Sequence, residues 1–214
     1  MDVVIKAFAA AAGTFDGLLD APEVTEAWEK PSALAGYTVG GIVGHVSVAL
    51  AWTEPLLAAP EPSDLRPIRL GNYYTGLKIT EDTRHPMHDA IRDRSESSAG
   101  HGPAETAARF RALIERLLAG LADEPGDRIL DMRPLVPAAV RLDDFLRTRV
   151  LELVVHADDL AASVALEPPQ PSPEAMAAAL DVLLDTARTA HGDLAVLRAL
   201  ARKERAAPDV FPVF

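Results

Sequence analysis

The chain has 214 residues, of which 49% are hydrophobic and 25% charged, with a net charge of −11 and no cysteine. That length and balance describe one soluble globular domain with a single sizeable core, and the negative charge argues against nucleic acid or an anionic membrane surface as partner, because both would repel it. Without cysteine there is no disulfide, no thiolate metal ligand and no cysteine nucleophile, so any thiol chemistry needs a thiol brought from outside.

Residues 3–19 carry Val4, Phe8, Phe15 and Leu19 at helical spacing with alanines between, which predicts a first helix. Lys6 is the only basic residue of this segment, beside Asp2, Asp16 and Asp20, so the basic region of a signal peptide is missing. No run reads as long and apolar enough to span a bilayer, and a cytoplasmic protein is the default expectation. Residues 21–37 form a proline-bearing connection anchored by Trp28. Thr38 is a good N-cap for a helix over 39–57 that stops around Pro60.

Residues 60–100 are the least regular part. Pro60, Pro62, Pro67 and Pro86 break any long pattern, and Tyr73 and Tyr74 sit among charges of alternating sign. This reads as a long loop with a short helix near 86–96; a loop of such length is uncommon unless functional, so it is expected to cover a site. Residues 103–122 give the cleanest amphipathic pattern, with Phe110, Leu113, Ile114, Leu117, Leu118 and Leu121 opposite Arg109, Arg111, Glu115 and Arg116. Turns and short extended pieces follow over 124–140, and then a helix from about Asp143 to Val164. In PPQPSPE (168–174) a stop is followed by a restart, with Ser172 as N-cap and Pro173 in the first turn. The helix that begins there runs to about Ala190 with Met176, Ala179, Leu180 and Leu183 on one stripe, and Gly192 ends it. A last helix covers roughly 193–203. The fold class expected is all-α: an antiparallel four-helix bundle with extra short helices and a long loop, as one domain over 1–214. A leftover apolar helix face makes a homodimer plausible.

The stretch VLELVVHADDL (150–160) is apolar enough for a core helix, yet holds Glu152 and His156 four residues apart. On a helical wheel Arg149, Glu152, His156 and Asp159 share one narrow stripe. Such a stripe either faces water as ordinary surface pairs or lines a polar site inside the bundle. In the second case the two side chains of the i, i+4 pair can reach one metal ion, whose charge compensates a carboxylate that is costly to desolvate. His45 is the best third ligand; spacing alone leaves it either a ligand or a hydrogen-bonded core histidine. His85 and His88 in the proline-broken loop, His101 in a turn and His191 at a helix end read as structural. Phosphate-loop, nucleophile-elbow and HExxH patterns are absent from the sequence.

WEKPSALAGYTVGGIVGHV (28–46) and FLRTRVLELVVHADDLAASV (145–164) resemble the two signatures of the mycothiol-dependent maleylpyruvate isomerase N-terminal domain, within the DinB-like superfamily of metal-binding helical bundles. The resemblance implies that His45, Glu152 and His156 are the metal ligands, that zinc is the metal, and that Arg149 and Asp159 orient Glu152 and His156. The chain departs from the pattern at Gly41, where an acid is usual and would complete a capping box with Thr38. The isomerase also carries a further C-terminal domain, which is not expected in residues 1–214.

These features lead to the expectation of a metal-dependent enzyme using a low-molecular-weight thiol, mycothiol by resemblance, for transfer to or isomerisation of a small electrophilic substrate. The alternatives are a metal-water hydrolase and a non-catalytic metal- or small-molecule-binding bundle. Arg84, Arg92 and Arg94 are candidates for binding an acidic substrate, with a surface role as the plainer reading of each.

Overall fold

The computed structural model describes residues 1–77, 86–133, 138–207 and 209–213. They are mostly helical: α1 (Asp2–Leu19), α2 (Pro22–Glu26), α3 (Val39–Ala51), α4 (Thr53–Ala58), α5 (Asn72–Leu77), α6 (Pro86–Ala99), α7 (Pro103–Leu121), α8 (Leu142–Ser163), α9 (Pro173–His191) and α10 (Asp193–Ala201). Two short antiparallel strands, β1 (Ile129–Asp131) and β2 (Ala139–Arg141), pair Leu130 with Val140 just before α8 begins. Helix α8 is central and packs on α1, α3 and α9, while α1 also touches α7 and α9, and α3 touches α6 and α7. The core they enclose is built from Phe8, Phe15, Phe110, Phe145, Ile42, Leu50, Leu117 and Leu146, all fully buried. Phe15 and Phe110 place their ring centroids 5.3 Å apart and thereby lock α1 to α7.

Most elements stand where their periodicity puts them, and the differences have local causes. The helix expected over 39–57 is divided at Trp52 into α3 and α4. Pro55 has no N–H to offer the carbonyl of Ala51, so a continuous helix would lose that bond and clash there. The loop expected over 60–100 contains a helical turn, α5, and α6 is longer than the piece anticipated near 86–96. On α9 the buried residues are Ala175, Ala179, Val182, Thr186 and Ala187, whereas Met176 and Leu180 are largely exposed. Small side chains let α9 lie close to α1 and α8, and the larger ones turn outward. Ser172 does cap α9, its hydroxyl accepting from the Ala175 N–H at 3.2 Å. On α10, Leu194, Leu197 and Leu200 form an exposed apolar stripe. One segment, Val39–Ala58, is after all long and apolar enough to cross a membrane by length and composition, with a mean hydropathy of 1.2. Within it Val39, Ile42, Val43, Val46 and Leu50 are fully buried against other helices.

The start of α3 shows how the missing acid at Gly41 is replaced. Thr38 caps the helix, its hydroxyl accepting from the Gly41 N–H at 2.8 Å. In a capping box an acid three residues on would accept from the cap's own N–H. Here Glu96 of α6 does so: its carboxylate accepts from the Thr38 N–H and from the Thr38 hydroxyl, both at 2.8 Å. A Cβ on Gly41 would stand 2.1 Å from that carboxylate, and one on Gly44 would stand 2.0 Å from the Ser95 carbonyl oxygen. The absence of side chains at both positions is therefore what lets a polar helix, α6, seat against α3.

Gly44→Ala should lower stability by about 1–3 kcal/mol, because the overpacking outweighs the better helix propensity. Gly13→Ala in α1, where a new Cβ meets nothing within 4 Å, should raise it by roughly 0.5–1 kcal/mol. Urea unfolding of the two variants checks the opposite signs.

Candidate metal centre

Three side chains from two distant stretches meet between α3 and α8. His45 comes from α3, Glu152 and His156 from consecutive turns of α8, and one nitrogen or oxygen from each lies within 4.8 Å of the others. Both histidines address the same carboxylate oxygen: the His156 Nε2 is 3.3 Å and the His45 Nε2 3.6 Å from Glu152 Oε2. The rings of His45 and His156 meet edge to face, with centroids 4.8 Å apart. Side-chain exposures of 20%, 18% and 11% for His45, Glu152 and His156 describe a cluster that is largely but not wholly withdrawn from solvent.

The stripe on α8 therefore does not face water. Arg149 and His156 are buried, as are the flanking Leu153 and Leu160, while Val155 on the other side is exposed. Asp159 holds the His156 ring through Nδ1 at 2.9 Å, which leaves Nε2 turned to the cluster. Arg149 does not bond Glu152 directly, contrary to the simplest form of an orienting role. Its guanidinium donates to the Ala49 carbonyl of α3 at 2.8 Å and to the Tyr73 hydroxyl at 3.0 Å, and it lies 4.8 Å from the Phe145 ring centroid. Arg149 thus ties α3, α5 and α8 together behind the cluster and supplies positive charge from there.

Two residues of the site escaped the reading of the sequence. The Tyr74 hydroxyl donates to Glu152 Oε1 at 3.1 Å, and Tyr73 stacks edge to face on Tyr74 with centroids 4.9 Å apart. The only signal for them was a pair of aromatics in a proline-broken, charged segment, of which α5 is the part that lies against the cluster. Tyr37 adds a wall, its ring lying edge to face with His45 at 5.5 Å. Other candidates stay apart. Arg92 pairs with Asp89 and lies against Gly36, while Arg94, His101 and His191 are exposed. His88 is on α6 and outside the cluster, and Arg84 and His85 lie outside the described residues. A cavity of about 900 Å³ lies between the start of α8, α9 and α10, and none of the three clustered residues lines it.

The electrostatics fit a cation. Burial alone would push the Glu152 carboxyl up, but the imidazoles of His156 and His45 and the charge of Arg149 outweigh it and hold it well below the usual carboxylate range. Burial works against a charge on His156, yet its bonds to Asp159 and Glu152 raise its pKa to about 9. Tyr74, buried and beside the Glu152 charge, is pushed well above the ordinary tyrosine value and stays a donor. His45 is not satisfied as a core histidine would be: its buried Nδ1 has no hydrogen-bond partner among the described residues, and the 3.6 Å approach of Nε2 is too long for a hydrogen bond. Two imidazole nitrogens and one carboxylate oxygen are a donor set suited to zinc and similar divalent ions.

The fold and this cluster define a helical protein with a candidate His–Glu–His metal centre. The family described as the mycothiol maleylpyruvate isomerase N-terminal domain matches residues 8–161, and the chain belongs to it. No curated protein and no solved structure matches the chain.

A metal must displace the proton that His156 carries below its pKa of about 9. Titrating a divalent ion into metal-free protein at pH 7 should therefore release about one proton per site, and at pH 10 much less. Calorimetry in buffers of different ionisation enthalpy reads this directly.

Proposed function

We propose that the chain is a metal-dependent domain of the mycothiol-using type, which acts on a small electrophile with a low-molecular-weight thiol. The single observation that carries this reading is the convergence of His45, Glu152 and His156 in one partly exposed cluster. A divalent metal held there, with zinc the metal implied by resemblance, would supply Lewis acidity that lowers the pKa of a coordinated thiol. Three protein donors leave a coordination place for a ligand from solution, which is the pattern of catalytic rather than structural zinc. The chain's own groups prepare that place: Asp159 fixes which nitrogen His156 presents, Arg149 ties α3 to α8, and the walls of Tyr37 and Tyr74 limit water. The absence of protein cysteine agrees with a thiol that arrives as co-substrate. Transfer of the thiol to the electrophile and isomerisation through transient thiol addition are both within reach of such a site.

Four helices, α1, α3, α7 and α8, are proposed as the four-helix bundle of the DinB-like type, with α9 and α10 packed on as additions. On this reading the proposed metal ligands would sit on two packed bundle helices, the usual location of bundle cofactor sites.

Elemental analysis of untagged protein should find about one divalent metal per chain, and Glu152→Ala should lose most of it, since the loss of a ligand leaves too few donors to close the site. With mycothiol or a simple thiol present, the wild type should consume an electrophilic acceptor, and His45→Ala should abolish the thiol-dependent part. Metal in the wild type without thiol-dependent turnover would reassign the domain to metal or small-molecule binding.

A further inference from the structure

The two oxygens of Glu152 are treated differently by their surroundings. Oε2 faces the Nε2 atoms of His156 and His45 at 3.3 and 3.6 Å, while Oε1 accepts the Tyr74 hydroxyl at 3.1 Å. We infer that Tyr74 is a positioning residue that reserves Oε1, so that Glu152 offers a bound cation one oxygen and not two. The inference rests on the reading of the cluster as a metal centre.

The tyrosine is built to stay where it is. It is buried. Its ring packs edge to face on Tyr73, and the Tyr73 hydroxyl receives Arg149, which also holds the Ala49 carbonyl one turn beyond His45 on α3. From the other side, the Gly71 N–H at the start of α5 donates to Asp185 of α9 at 3.2 Å. One carboxylate oxygen and two imidazole nitrogens are thus presented from two helices, α3 and α8, and the second oxygen is held from α5. A carboxylate that binds through both oxygens takes two positions around a metal, and zinc has few. Keeping Glu152 to one oxygen preserves a place for an incoming thiol, and the hydrogen bond at Oε1 fixes the angle at which Oε2 is presented. The phenol therefore serves the site without touching the cation, and its contribution is the coordination number.

Cobalt(II) is a suitable probe, because its visible absorption falls as coordination rises from four to five or six. Tyr74→Phe keeps the ring and removes the donor. The expected result is a cobalt affinity lower by roughly 10-fold and a weaker visible spectrum than that of the wild type, as the freed oxygen joins the metal. A Tyr74→Phe protein with wild-type affinity and spectrum would overturn the role of Tyr74 while leaving the metal centre in place. Failure of the wild type to take up cobalt would overturn the metal centre itself, and the inference with it. X-ray absorption fine structure of the cobalt-loaded wild type needs no variant: a single oxygen from Glu152 is expected, and a carboxylate bound through both oxygens sinks the proposal.

Discussion

The largely buried carboxylate of Glu152 is the constraint around which this molecule is arranged. An ionised group removed from water costs several kcal/mol unless charge and hydrogen bonds meet it. Here the compensation is drawn from three helices. His156 and Arg149 come from the same helix as Glu152, His45 from α3 and Tyr74 from α5. Each contact fixes the rotation of a helix about its own axis as well as its distance. If α3 turned by one residue, His45 would leave the cluster and a carbonyl would be lost to Arg149. The polar centre therefore specifies a packing that the surrounding leucines, valines and phenylalanines would tolerate in several registers.

That specification reaches outward through α3. One face of the helix carries His45 toward α8; the face bearing Gly41 and Gly44 accepts α6 at close range. Glu96 then completes the cap that Gly41 cannot, and Trp28 donates its indole N–H to the Ala99 carbonyl at the end of α6. A local capping device has been converted into a tertiary contact. Steric room at the glycines and the compensating acid are two halves of one arrangement, and neither makes sense alone.

These dependencies explain what could be read in advance. Glu152 and His156 were legible because a period of 3.6 brings residues four apart to one face, and His45 because its flanking pattern resembles the family's first signature. The capping of α3 and α9 was legible because Thr38 and Ser172 act on N–H groups three residues away. Glu96 was not, because its partner is 58 residues distant and no short-range rule connects them. Tyr74 was hidden for a similar reason: it stands on a six-residue helix in a proline-rich stretch where periodicity carries no signal. On α9 the large apolar residues suggested the wrong face, because close helix approach favours alanine where a looser contact would favour leucine.

The matched family segment ends at residue 161, and α9 lies beyond it. Yet Asp185 of α9 holds the N–H of Gly71, the residue from which α5 springs. Homology and mechanics thus draw different borders on this chain. A fragment trimmed to the matched segment would retain His45, Glu152 and His156, but the strut that keeps the phenol against its carboxylate would have no abutment.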